Sequence, residues 1–178
     1  MTADGPASES FHFATRVGPR WSNVDRMRSA VLHGAEAVFG PGDASEIVST
    51  ITSELMENAV KYGDWTAPDR AWLKVAVVGG RSSLRIDVEC PTDPRSQHLA
   101  NLRRMLQWIE SFPSPRDAYL ARVRAIAESG EEGMSGMGLV RMMCEGPCRI
   151  TARVLPEGVL VVSAEVSLAD LADLGKTG

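Results

Sequence analysis

The first regular pattern along the chain is a two-residue alternation. Ser10-Phe11-His12-Phe13-Ala14-Thr15-Arg16-Val17 reads as an edge strand. A longer period follows. Ser22 or Asn23 can cap a helix running to about Phe39, with Val24, Met27, Val31, Leu32 and Ala35 on one side. Gly40-Pro41-Gly42 stops it, and Asp43 or Ser45 caps a second helix whose apolar stripe is Ile47, Ile51, Leu55 and Ala59, ended by Gly63. Residues 72–78 and 83–88 read as two strands joined at Gly79-Gly80-Arg81. Residues 91–133 lack strand character and hold two helical candidates, 96–112 and 116–129, split by Pro113-Ser114-Pro115. A glycine-led helix comes next, and a last hairpin pairs 148–155 with 159–166 around Pro156-Glu157-Gly158.

The order strand, helix, helix, hairpin, helical insert, helix, hairpin predicts an α/β sandwich. Helices should lie on one face of a mixed, mostly antiparallel sheet. A chain of 178 residues suits one such domain, here residues 10–167, between a small, polar segment 1–9 expected to be disordered and a tail 168–178. The net charge of −4 argues against a nucleic-acid binder held by phosphate contacts. No apolar run approaches the ~20 residues that span a bilayer. The N-terminus lacks a basic segment followed by an apolar block, so a cytoplasmic protein is expected. Three cysteines do not suggest a disulfide framework.

Chemistry concentrates at two places. In Glu54-Leu55-Met56-Glu57-Asn58-Ala59-Val60-Lys61-Tyr62-Gly63, a helix turning about 100° per residue puts Glu54, Asn58 and Lys61 within an arc of roughly 60°. A carboxylate can orient or deprotonate a hydroxyl, an amide oxygen is a hard ligand for Mg²⁺, and an ammonium can meet a phosphate. A solvated face with Glu–Lys pairs has the same composition, so this stretch alone decides little. The second place is Gly133-Met134-Ser135-Gly136-Met137-Gly138-Leu139-Val140-Arg141-Met142-Met143, where glycines let backbone amides at a helix start approach an anion.

Together the two motifs resemble the GHKL ATPase superfamily, in a form similar to the anti-sigma factor serine/threonine kinases and the ATP-binding domains of histidine kinases. Glu54-x-x-x-Asn58-Ala59-x-Lys61-Tyr62-Gly63 looks like that superfamily's N box, and Ser135-Gly136-Met137-Gly138-Leu139 like its second glycine box. The resemblance implies the Bergerat ATP-binding fold, with residues 91–133 as a long helical lid, and ATP and Mg²⁺ as cofactors. Glu54 would orient the attacking hydroxyl or accept its proton, and Asn58 would hold Mg²⁺. Lys61 would contact a phosphate or the lid, while Gly136, Met137, Gly138 and Leu139 would cradle the phosphates. The implied activity is phosphorylation of a Ser or Thr on a small STAS-type antagonist, with a sigma factor as a further partner. A homodimer is compatible with it, and neither nucleic acid nor membrane is involved.

One element departs from the pattern. GHKL domains carry an Asp-x-Gly-x-Gly box whose Asp accepts a hydrogen bond from the adenine amino group. Here that place reads Ile86-Asp87-Val88-Glu89-Cys90-Pro91-Thr92-Asp93-Pro94, without a glycine. The adenine position falls on Val88 or Cys90, or is taken by Asp93. The alternative to a kinase is therefore a non-catalytic module of the same fold that acts by docking a partner.

Overall fold

The computed structural model describes residues 10–80, 82–129, 137–146 and 148–168. Strand β1 (Ser10–Val17) leads into α1 (Trp21–Phe39) and α2 (Asp43–Tyr62), and the hairpin β2 (Leu73–Gly80) and β3 (Ser83–Pro91) follows. Helices α3 (Gln97–Glu110) and α4 (Pro115–Ser129) form the insert, before α5 (Met137–Glu145) and the hairpin β4 (Cys148–Leu155) and β5 (Val159–Ser167). The five strands make one sheet in the order β1-β2-β3-β5-β4. Every pairing among the described residues is antiparallel, so the sheet expected as mixed and mostly antiparallel has no parallel pair there. The molecule is an α/β sandwich.

Alternation decides which face of the sheet is covered. Leu73, Val75 and Val77 on β2, and Leu84, Ile86, Val88 and Cys90 on β3, are all buried. The register sets Val75 against Val88 and Val77 against Ile86, so these residues form one apolar surface under the helices. The intervening positions carry charge. Lys74 Nζ donates to Glu89 at 2.9 Å, and the Arg85 guanidinium meets Asp87 at 2.9 Å and Glu165 at 3.5 Å. The helix-free face is thus a ladder of ion pairs, each worth little individually at such exposure.

Helix α2 packs against α1 and against the central strands. Its buried positions, Val48, Ser49, Ile51, Thr52, Leu55, Met56 and Ala59, therefore take in more of its circumference than the single stripe read from sequence. Small hydroxyl residues allow close packing, and two of them bond to their own helix. Thr52 Oγ1 donates to Val48 O at 2.8 Å, and Ser53 Oγ to Thr50 O at 2.9 Å. The expected caps of the first two helices are not used. α1 begins at Trp21, and Asn23 Nδ2 donates instead to Gly18 O at 2.9 Å. α2 begins after Gly42, while Ser45 Oγ reaches back to Gly40 O at 2.8 Å. Ser96 does cap α3, accepting from Leu99 N.

The insert is tied down where it leaves β3. Thr92 N donates to Gly158 O and Asp64 N to Pro91 O, both at 2.9 Å, and Arg70 Nη2 also reaches Gly158 O at 2.9 Å. Gly158 holds φ +70° in the β4–β5 turn, a conformation that favours glycine. Helix α3 lays Leu99 and Ile109 into the interior, with Leu102, Met105 and Leu106 packed beside them. Helix α4 packs against α5.

Candidate functional site

A cavity of about 330 Å³ opens between the C-terminal half of α2, strands β3 and β5, α3 and the first turn of α5. That size is within the range of small-molecule sites, roughly 300–1,000 Å³. Glu54, Asn58 and Lys61 all line it, as do Gly138 and Leu139. The two sequence motifs, some eighty residues apart, therefore share one wall. Met137 is the buried first residue of α5 and lies outside the lining, and Gly136 lies outside the described residues. A second depression, of about 460 Å³ beside Ser83, Pro115, Cys148 and Arg149, touches neither motif.

Glu54 is held from α5. Arg141 Nη2 donates to Glu54 Oε1, and Arg141 Nε lies 3.9 Å from Glu145 on the same helix. The other oxygen, Glu54 Oε2, lies 3.0 Å from the point where a Cβ on Gly138 would stand. Glycine at 138 thus leaves room for the carboxylate against the helix. Gly138 is not among the described glycines with positive φ, which are Gly40, Gly42 and Gly158, so its role is steric room and not left-handed backbone. Asn58 stands one turn beyond Glu54. Among the described residues no hydrogen bond occupies its amide, which leaves the oxygen free for a cation such as Mg²⁺.

Glu57, set aside by the helical arc, also lines the cavity. Its carboxyl is pushed above the ordinary value, first by burial and then by Glu54 and Asp25, against the lowering effect of Arg141 and Arg28. Glu54 and Glu57 make this wall of the cavity rich in acid, and any anion placed there needs a cation beside it.

The deep end is apolar. Val88 and Cys90 on β3, Leu160 and Val162 on β5, and Leu102 and Met105 on α3 enclose it, with Thr92 at the margin. Burial pushes the Cys90 thiol up to about 12, so it is uncharged at neutral pH. Of the positions open to adenine in the sequence, Val88 and Cys90 face the cavity. Asp93 does not line it and accepts from Arg95 N at 2.9 Å. Asp87 and Glu89 sit on the other face, paired with Arg85 and Lys74. Burial alternation along β3 leaves no carboxylate for the deep end.

The mouth is aromatic. Tyr62 stacks on His98 of α3 with ring centroids 5.1 Å apart, and Lys61 Nζ stands 5.2 Å from the Tyr62 ring. This pair fastens α3 over the end of α2. Trp21, 55% exposed, lies at the rim. The sequence reading assigns no role to Arg141, Trp21 or His98. Arg141 stands within the second motif, but its engagement with Glu54 depends on how α5 crosses α2, which no local spacing shows.

No family profile and no curated protein matches this chain. Among solved structures, the chain is similar in fold to a chain of the SiaB–SiaC complex from Pseudomonas aeruginosa. The TM-score is 0.59 at 16% identity, covering 86% of this chain and 88% of that one. Among the described residues no helix is long and apolar enough to cross a membrane.

Proposed function

We propose that this chain is an ATP-binding regulatory switch protein of the anti-sigma factor serine/threonine kinase type, acting on a Ser or Thr of a small STAS-type antagonist. The observation that carries the reading is the convergence of Glu54, Asn58, Lys61 and Gly138 on one cavity roofed by α3. The residues fit Mg·ATP: an uncommitted amide oxygen at Asn58, a glycine gap at Gly138, and an apolar slot for a flat ring. When bound, Mg·ATP supplies the phosphoryl group. Asn58 holds the metal, Gly138 admits the phosphates, and Glu54 orients the acceptor hydroxyl or takes its proton. Positioning and charge neutralisation make up most of phosphoryl transfer, so a domain this small suffices. A protein partner is favoured because the fold neighbour was solved as a complex of two proteins.

The second reading is a non-catalytic docking module. It is favoured by the deep end, where no carboxylate faces the cavity, since a charge-assisted hydrogen bond to a base is worth about 1.5–3 kcal/mol. Thermal unfolding with Mg²⁺ and ATP separates the two. A ligand at a hundredfold excess over its Kd stabilises the native state by about 2.7 kcal/mol. No rise in Tm at millimolar Mg·ATP removes the nucleotide and leaves docking.

A further inference from the structure

Helix α4 carries apolar residues on two sides. Ala118 is buried and Tyr119 packs against the core, on the side that meets α3 and α5. On the other side Leu120 is 43% and Val123 41% exposed, one turn apart. They are two of the four large apolar side chains that stand open among the described residues. Ala127 continues the strip and is exposed as well. A helix with apolar residues all round is one that is covered all round. None of the three lines the cavity, so the strip is separate from the site described above.

Charge says what covers it. At about 100° per residue, Asp117 and Arg124 fall within roughly 20° of one line, and Leu120, Ala127 and Val123 lie to one side of it within about 120°. Asp117 and Arg124 are both exposed. Asp117 Oδ2 accepts from Ser114 Oγ at 2.7 Å, and among the described residues neither Asp117 nor Arg124 has an ion-pair partner. Asp117 precedes Leu120 by one turn and Arg124 follows it by one turn, so the edge reads acid, apolar, base. Such an edge is its own complement when reversed. We propose that α4 is a self-association surface, on which a second copy of this chain lays its own α4 antiparallel about a two-fold axis beside Leu120. Symmetry makes each Asp117 face the partner's Arg124, so the ion pair forms twice, and the strips of Leu120, Val123 and Ala127 close on each other. One pair of helices buries less than the roughly 1,000 Å² of a stable interface, so the dimer is weak and reversible. The inference does not depend on nucleotide.

The test is sedimentation velocity of the full chain from micromolar to millimolar concentration. The samples are wild type, Leu120→Glu, Arg124→Glu, Asp117→Lys, and an equimolar mixture of the last two. Wild type is expected to pass from monomer to dimer as concentration rises. Leu120→Glu and Arg124→Glu should each weaken the dimer by about tenfold or more, since symmetry counts every change twice. The mixture should associate like wild type, because each mixed dimer regains both ion pairs. Asp117 also receives the Ser114 hydroxyl at the helix start, so a melting curve accompanies its variant. If that variant melts early, Leu120→Glu and Arg124→Glu decide alone. A wild-type chain that stays monomeric throughout overturns the proposal and leaves the strip to a different protein. A dimer that either surface variant leaves intact overturns it too, as does a mixture of folded variants that remains monomeric.

Discussion

Replacing Gly138 with alanine separates two roles of one glycine. Alanine is favoured over glycine inside a helix by up to about 1 kcal/mol. Against that, the new methyl stands 3.0 Å from Glu54 Oε2, whereas ordinary contact begins at 3.4 Å, so the carboxylate must retreat by the 0.4 Å difference. Because Arg141 holds its other oxygen, the retreat strains a rotamer at about 0.5–1.5 kcal/mol. The two terms nearly cancel. Stability should stay within about 1 kcal/mol of wild type, a Tm change of roughly 2–4 °C for a chain this size. On the proposed nucleotide reading ATP affinity should nevertheless fall, because the methyl pushes the Glu54 carboxylate into the cavity space a phosphate would take, and Gly138→Val should lower it further. Calorimetric unfolding and nucleotide titration on the same samples give both quantities. A folded Gly138→Ala protein that binds ATP within about twofold of wild type would show that the gap only seats Glu54, and the phosphate placement would be wrong.

Three other outcomes follow from the site. Asn58→Ala should weaken Mg²⁺-dependent nucleotide binding, whereas Glu54→Gln should keep binding and lower γ-phosphate transfer to a STAS-type protein by about 10²–10⁴; wild-type transfer by Glu54→Gln would exclude it as the base. Burial and the neighbouring Glu54 push the Glu57 carboxyl above its ordinary value of 4.5, so the folded state holds its proton more tightly than the unfolded chain and loses stability as pH rises through that raised value. Glu57→Gln should therefore raise Tm at pH 7 and lose the advantage below about pH 4.5; a gain independent of pH would assign the effect to something other than ionisation. Tyr62→Ala should loosen α3, since an aromatic pair is worth about 0.5–1.5 kcal/mol. Hydrogen exchange across Gln97–Glu110 should then accelerate about twofold to tenfold by that energy, and unchanged protection would show that Leu99 and Ile109 alone hold the helix.

Element order was legible because each segment states its period clearly. Phe11, Phe13 and Val17 alternate, and Val24, Val31 and Ala35 keep the helical spacing, so β1 and α1 fall where expected. Starts were less legible at α1 and α2. Ser22, Asn23 and Ser45 are good capping residues by type, yet the chain enters α1 through Arg20 and α2 through Gly42, and the polar side chains serve the preceding loops. The face of Glu54, Asn58 and Lys61 was readable from helical geometry alone. Glu57 was not, because the arc ignores how a long side chain leans toward the cavity rim. Gly133 and Gly136 of the second motif lie outside the described residues, so the structure speaks for that motif through Gly138 and Leu139.

The missing acid at the deep end follows from the sheet itself. Leu84, Ile86, Val88 and Cys90 are the inward positions of β3, each packed under the helices, and Asp87 and Glu89 are held outward by Arg85 and Lys74. Turning a carboxylate inward would require a one-residue slip of β3, which would send all four apolar side chains to solvent. That slip is far costlier than any single hydrogen bond to a base could offset, at about 0.8 kcal/mol for each CH₂ exposed. The outward carboxylates are therefore a settled property of this fold. On the proposed nucleotide reading, a base in this cavity would draw affinity from burial against Val88, Cys90, Leu102 and Met105, and the phosphates from the Asn58 amide and the Lys61 ammonium. Recognition in such a site weighs the phosphates more heavily than the base. Exchanging adenine for guanine should thus change affinity less than removing the terminal phosphate, and the reverse order in a titration would refute this division of labour.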